Sequence, residues 1–329
     1  MAFLFTVGLF TRVTSVLVWF ASLWYIHRSP LHVFGQDTMQ TILLFYLMIS
    51  PCGAAFSLDA LRLRYRAAKA VLGGGKHPPA WASAALAGPV SSWQANFAIR
   101  MLQIHYCFIY MSAGMSKLKG SSWWNHEAGW RALATPEFGP MRFGEYETLL
   151  RAAVSSQVVS AFLFAAICIG TLLLELGLPI VIWTRLRPVY LTLATTFHLG
   201  IGFFMGLTVF GLYMMTFLLV YFPASLIRAR LAPAPWTGPK ETILYHPGSP
   251  RSVRRAALIQ MLDLSGRYQL VERTDELTDE IQLREPDGRL LQGEELFQSA
   301  FSTLDLVKPI AWIRKVPGVW FCVKFRFCR

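Results

Sequence analysis

Charge is scarce in this sequence. Asp, Glu, Lys and Arg make up 15% of the 329 residues, where an ordinary soluble domain carries about 25%. Acidic residues are the rarer kind, 19 against 31 Lys and Arg, leaving a formal net charge of +12. That excess would suit nucleic acid. In the first two thirds of the chain, however, the basic residues sit in short clusters between apolar runs, the pattern of membrane-topology signals, and no nucleic-acid partner is expected. The five cysteines (Cys52, Cys107, Cys168, Cys322 and Cys328) form no CxxC pair and no His/Cys grouping at zinc spacing, so neither a disulfide framework nor a metal site is expected. Internal repeats and low-complexity tracts are also lacking. The sequence shows none of the inverted repeats or paired broken helices of a secondary transporter.

What is plentiful is apolar sequence: 54% of residues are hydrophobic, with 24 Phe and 11 Trp, and the mean hydropathy is +0.42. A membrane span needs about 20 mostly apolar residues. Six stretches meet or approach that, at about 3–26, 38–57, 93–116, 154–184, 188–206 and 208–227. The last two are nearly continuous and divide at Met205-Gly206-Leu207. The first run has no basic segment before it and no small-residue cleavage site after it, so it reads as a retained helix, not a signal peptide. Basic clusters follow the second span (Arg62, Arg64, Arg66, Lys69, Lys76), the fourth (Arg185, Arg187) and the sixth (Arg228, Arg230). The positive-inside rule makes all three segments cytoplasmic. Both chain ends then face the cytoplasm, the loop from Lys117 to Arg151 faces outward, and a bacterial inner membrane is the expected location.

Most acidic residues follow Lys240. The Pro-rich stretch 228–239 cannot continue a helix or sheet and reads as a linker. Beyond it the pattern predicts a strand at Glu241–Tyr245, a helix at about Arg251–Leu264, a second strand at Tyr268–Glu272 and a hairpin about the Pro286-Asp-Gly288 turn. The expected fold is an all-α polytopic transmembrane bundle of about six helices (1–227), the linker, and a small α/β domain (240–329).

Ionisable residues at membrane depth are costly, and therefore informative. They are Arg12, Arg100, His105, Lys117, Glu175 and His198. Lys117 ends the third span after Ser112, Ala113, Gly114 and Ser116, small residues that permit close helix approach. A lysine held in an apolar pocket can act as a base; one beside Trp123 and Trp124 can equally snorkel to the interface. His198 suits a proton carrier or a hydrogen bond to a neighbouring helix. For Glu175 a structural pairing with Arg12 or Arg100 is expected. His105 lies about 18 Å from Lys117 along their shared helix, too far for direct cooperation.

These residues resemble the vitamin K-dependent γ-carboxylase-like, or HTTM, membrane family. The resemblance rests on Trp93 to Trp124 (with Arg100, Gln103, Tyr110, Gly114, Lys117-Leu118 and Trp123-Trp124), on Phe56-Ser-Leu-Asp59, and on Glu175 with Phe197-His198-Leu199. It covers most of residues 8–223 and begins at what looks like the family's second helix. The resemblance implies a quinol-dependent carboxylase or oxygenase in which Lys117 is the base and His198 has a site-lining or hydrogen-bonding role, with a reduced quinone similar to vitamin K hydroquinone as cofactor and the bilayer and a secreted peptide as partners. A non-catalytic companion for maturation or export of such a peptide is the alternative. Residues 240–319 resemble the DCC thiol-oxidoreductase-like family, a thioredoxin-like module. Ser249 and Ser252 stand at its cysteine positions, which implies a module without redox chemistry.

Overall fold

The structure, a computed structural model, describes residues 1–28, 30–73, 78–88, 90–135, 144–274 and 278–304. Lys76, Cys322, Cys328 and the segment from Leu306 to Gly318 lie outside them. The chain is mostly helical: α1 (Ala2–Thr6), α2 (Thr11–Arg28), α3 (Gly35–Ile49), α4 (Leu58–Leu72), α5 (Ala80–Ala87), α6 (Trp93–Leu118), α7 (Ser121–Trp124), α8 (Glu127–Ala134), α9 (Gly144–Ser155), α10 (Gln157–Val181), α11 (Arg187–Phe204), α12 (Thr208–Leu218) and α13 (Ala224–Leu231). A small mixed domain follows, built of β1 (Glu241–Tyr245), α14 (Pro250–Leu262), β2 (Tyr268–Glu272), β3 (Gln282–Arg284), β4 (Leu290–Gln292) and α15 (Gly293–Thr303). The helix α13 takes the first residues of the predicted linker.

The predicted spans differ in outline from the helices. The first is broken between α1 and α2, where Gly8 and Phe10 adopt positive φ. The second ends at Ile49, and the sixth breaks after Leu218 into a short 3-10 turn. Among the described residues one helix, α10, is long and apolar enough to cross a membrane, and Thr208–Tyr221 is a shorter apolar helix. Only 22% of the apolar window in α10 is buried, unlike the core helix of a soluble protein.

The chain forms two compact units, neither continuous in sequence. One gathers residues 1–14, 53–90 and 223–329; the other gathers 15–52 and 91–222. In the first, the sheet runs β2-β1-β3-β4, with β1 and β2 parallel and the remaining pairs antiparallel. Ile243 and Leu283 sit at its centre, fully buried. Its helix α14 packs on β1, and α4 packs in turn on α14, with Ala68 and Leu72 joining the same core. Residues 58–72, expected as a basic loop, are therefore an amphipathic helix that turns Arg62, Arg66 and Lys69 outward. Arg64 turns inward and donates to the carbonyls of Leu86 (2.8 Å), Met261 (3.1 Å) and Asp263 (3.4 Å). Burial lowers its guanidinium from the ordinary value.

In the second unit α6 lies against both α3 and α10, and α11 against α12. Their core contains Tyr106, Leu178, Ile182, Ala194 and Phe217, all fully buried. Glycine decides the close approaches. A Cβ at Gly114 of α6 would lie 2.7 Å from Leu176 Cδ2 and 3.3 Å from Glu175 Cβ, and one at Gly211 of α12 would lie 2.8 Å from the His198 carbonyl oxygen.

Candidate functional site

Gln103, Tyr106, Tyr110, Gly114 and Lys117 are spaced three, four, four and three residues apart, so they form one stripe along α6. All but Lys117 are buried. The stripe is a line of polar contacts inside an apolar cluster. Gln103 accepts from Arg100 (3.1 Å) and donates to the Val220 carbonyl (2.7 Å). Tyr106 donates to the Met214 carbonyl (3.0 Å) and stacks on Phe217 with ring centroids 5.4 Å apart. Further along, Tyr110 Oη lies 2.6 Å from His198 Nε2. At the helix end Lys117 Nζ donates to Glu175 Oε1 at 2.8 Å.

Glu175 is 6% exposed and His198 2% exposed. Each keeps one buried polar atom, Glu175 Oε2 and His198 Nδ1, with no hydrogen-bond partner among the described residues. An unsatisfied buried polar atom costs about 1–3 kcal/mol. Such atoms are rare in native proteins and require an explanation. The Lys117 side chain is 25% exposed and its ammonium lies 5.3 Å from the Trp123 ring centroid, within cation–π range. It is therefore held from two sides, by a carboxylate and by an aromatic face, and does not simply reach outward.

The structure thus attaches both predicted site residues to one helix face, Lys117 directly and His198 through Tyr110. The two attachment points are seven residues apart, about 10 Å along the axis. The expected partners of Glu175 are corrected: Arg100 bonds Gln103, and Lys117 holds the carboxylate. A span-end lysine lies on the same α6 face as Gly114, which Leu176 and Glu175 of α10 approach, so it reaches Glu175 where an arginine several turns away does not. His105 pairs with Tyr46 Oη at 3.1 Å and makes no hydrogen bond to Lys117, Glu175 or His198 among the described residues. Tyr110, named in the resemblance but not among the ionisable residues at membrane depth, is the residue that contacts His198; its place four residues before Gly114 and seven before Lys117 puts it on the same stripe.

The Phe56-Ser-Leu-Asp59 segment serves an architectural role in the other unit. Ser57 caps α4 by accepting from the Ala60 amide (3.0 Å). Asp59 accepts from the Phe10 and Thr11 amides (3.0 and 2.7 Å) and from the Thr11 hydroxyl. In the C-terminal domain Ser249 and Ser252 are both buried. Ser249 caps α14 through the Ser252 amide (3.1 Å) and donates to Asp279 Oδ1 (2.6 Å), while Ser252 Oγ accepts from the His246 amide (2.9 Å). Hydrogen bonds from Ser249 and Arg251 hold the Asp279 carboxyl below its usual range. Among the described residues, no group of three or more His, Cys, Asp or Glu is placed to hold a metal ion.

No family model, curated protein or solved structure matches the chain.

Proposed function

We propose that this chain is an integral membrane protein of the HTTM type, a polytopic bundle that acts on a reduced quinone through the Lys117–Glu175 pair. The single observation that carries the reading is the buried carboxylate oxygen Glu175 Oε2, without a partner among the described residues and beside a lysine ammonium at the end of an apolar helix cluster. That pair fits the hydroxyl of a hydroquinone head: Glu175 offers a free acceptor, and Lys117 a positive charge. His198, held by Tyr110, offers a further buried nitrogen along the same helix face. Such a quinol supplies an ionisable hydroxyl and two electrons when bound. Lys117 and Glu175 orient that hydroxyl and take its proton, and the surrounding apolar side chains exclude water, which strengthens the electrostatics.

The outer surface of the second unit supports the membrane part of the reading. On α10, Phe162 (76%), Leu173 (64%) and Ile180 (66%) are exposed, a face that water would not cover favourably and lipid would. At 1.5 Å per residue α6 and α10, of 26 and 25 residues, exceed the roughly 30 Å of a bilayer core. In the tail, the sheet order β2-β1-β3-β4 supports a thioredoxin-like module. With serine at positions 249 and 252 it binds or stabilises and does not exchange thiols. A cytoplasmic placement of both chain ends belongs to the same reading.

The test is quinol oxidation by the full chain reconstituted in lipid, with dioxygen present. Lys117→Ala is expected to abolish turnover. Wild-type turnover in that variant, with the protein retained in the membrane, overturns the proposal.

A further inference from the structure

Within the pair, the resemblance casts Lys117 as the base, but the arrangement of its hydrogen atoms speaks otherwise. A lysine ammonium has three donors and no lone pair, and the Glu175 carboxylate lies 2.8 Å from it. One N–H is committed to Glu175 Oε1, and the charge also faces the Trp123 ring. The uncommitted acceptor of the pair is Glu175 Oε2, buried and without a partner among the described residues. Gly114 sets its position. With no side chain there, Glu175 Cβ comes close to the α6 backbone, between the levels of Tyr110 and Lys117 on the stripe.

We propose that Glu175 is the proton acceptor of this site and that Lys117 remains an ammonium, its charge facing the negative oxygen that deprotonation leaves behind. The inference rests on the reading of the pair as a site for an aryl hydroxyl. In the step, the O–H bond of that hydroxyl breaks, its electron pair stays on the oxygen, and the proton forms a new O–H bond at Glu175 Oε2. Atoms and net charge are conserved: an ammonium, a carboxylate and a neutral aryl hydroxyl become an ammonium, a carboxylic acid and an aryl oxide. The chemical class recognised is a weakly acidic aromatic hydroxyl, bound in its neutral form and ionised in place.

The probe is 4-nitrophenol, added to the purified full chain in nanodiscs buffered below the probe's solution pKa. Visible absorption reads its anion. Calorimetry in buffers of different ionisation enthalpy reads whether a proton leaves the protein. Wild type and Lys117→Arg, which keeps a fixed charge, are expected to bind the anion with no proton released, because Glu175 retains it. Glu175→Gln is expected to bind the anion only with one proton released to the buffer for each molecule bound. Glu175→Asp, which preserves the carboxylate, restores binding without release and separates lost chemistry from lost folding. Release-free anion binding by Glu175→Gln, obligatory release by Lys117→Arg, or no binding by the wild type overturns the inference. With quinol as substrate, Glu175→Gln is expected to lower turnover about 100-fold, the usual loss when a positioned base is removed. Absence of quinol turnover alongside the expected proton results removes the quinol reading and leaves the roles of Glu175 and Lys117 standing.

Discussion

Asp59, the third residue of the Ser57-Leu58-Asp59 stretch, caps a helix that begins at Thr11. Its carboxylate takes the Thr11 amide at 2.7 Å, the Thr11 hydroxyl and the Phe10 amide, while its own amide donates to the Gly8 carbonyl at 3.0 Å. The two segments meet closely. A Cβ on Gly8 would collide with Ser57, and one on Gly53 with Thr11. Phe10 and Phe56 are held at positive φ on either side of the crossing, conformations that cost bulky residues energy. Asp59→Ala leaves the first amides of α2 without their acceptor. A loss of about 1–2 kcal/mol is expected, read as a lower midpoint in thermal unfolding of the purified protein.

The same carboxylate gives that stability an acid limit. Burial pushes the Asp59 carboxyl up, but hydrogen bonds from Thr11 and Phe10, together with Arg62, outweigh it and hold the group below its usual value. A depressed folded-state value means that the contribution is complete above the unfolded value, about 3.9, and is lost as pH falls through the folded one. Thermal midpoints measured from neutral to acid pH are expected to fall less steeply in Asp59→Asn than in wild type. Equal slopes would show that this carboxylate does not report the crossing.

Gly114 makes a sharper demand. Leu176 Cδ2 lies 2.7 Å and Cγ 2.9 Å from where a Cβ would stand; the methyl end can move, the branch carbon less readily. Gly114→Ala is therefore expected to cost about 1 kcal/mol and Gly114→Leu about 1–3 kcal/mol, as overpacking does. The larger variant also pries α10 from α6 and parts Lys117 from Glu175. Quinol oxidation would then fall in Gly114→Leu although neither charged residue is altered. Unchanged turnover in that variant would count against a site that depends on this approach.

How far the sequence foretold this arrangement depends on the kind of signal. The strands at Glu241–Tyr245 and Tyr268–Glu272 and the Pro-Asp-Gly hairpin were legible because alternation and turn chemistry are local. Lys117 and His198 were legible as costly ionisable residues in apolar runs. The partner of Glu175 was not, since Lys117 and Arg100 lie on the same helix and only the tertiary approach at Gly114 chooses between them. Nor was α4, because four basic residues in fifteen obscure its apolar face: Ala67 and Ala68 are small, and the helix on which α4 packs comes nearly 190 residues later. Asp59 as a cap for Thr11 was equally hidden, since helix capping is read within a segment, and here it crosses between two.

Arg64 is the residue that ties those distant segments together. Its guanidinium satisfies carbonyls on α5 and at the end of α14, where charged hydrogen bonds contribute about 1.5–3 kcal/mol. Arg64→Met keeps the apolar stem and removes the fork. Hydrogen exchange is expected to accelerate in α4 and at the C-terminal turn of α14, with the central strand β1 less affected. Lysine at this position has a single nitrogen and is expected to rescue only in part.

The Tyr110–His198 pair permits a test in which two losses are smaller than one. Tyr110→Phe removes the hydroxyl that faces His198 Nε2, so both ring nitrogens of a histidine 2% exposed would lack partners among the described residues. That leaves a desolvated polar group unpaired, a cost of about 1–3 kcal/mol. His198→Leu in the same background removes the stranded imidazole and replaces it with an apolar group suited to Phe197 and Phe210, whose rings lie 5.3 and 5.9 Å away. The double variant is therefore expected to unfold at a higher temperature than Tyr110→Phe alone. Catalysis should not follow stability: if His198 lines the site, the double variant regains thermal midpoint without regaining quinol turnover. Recovery of both together would assign His198 to packing and leave the chemistry to Lys117 and Glu175.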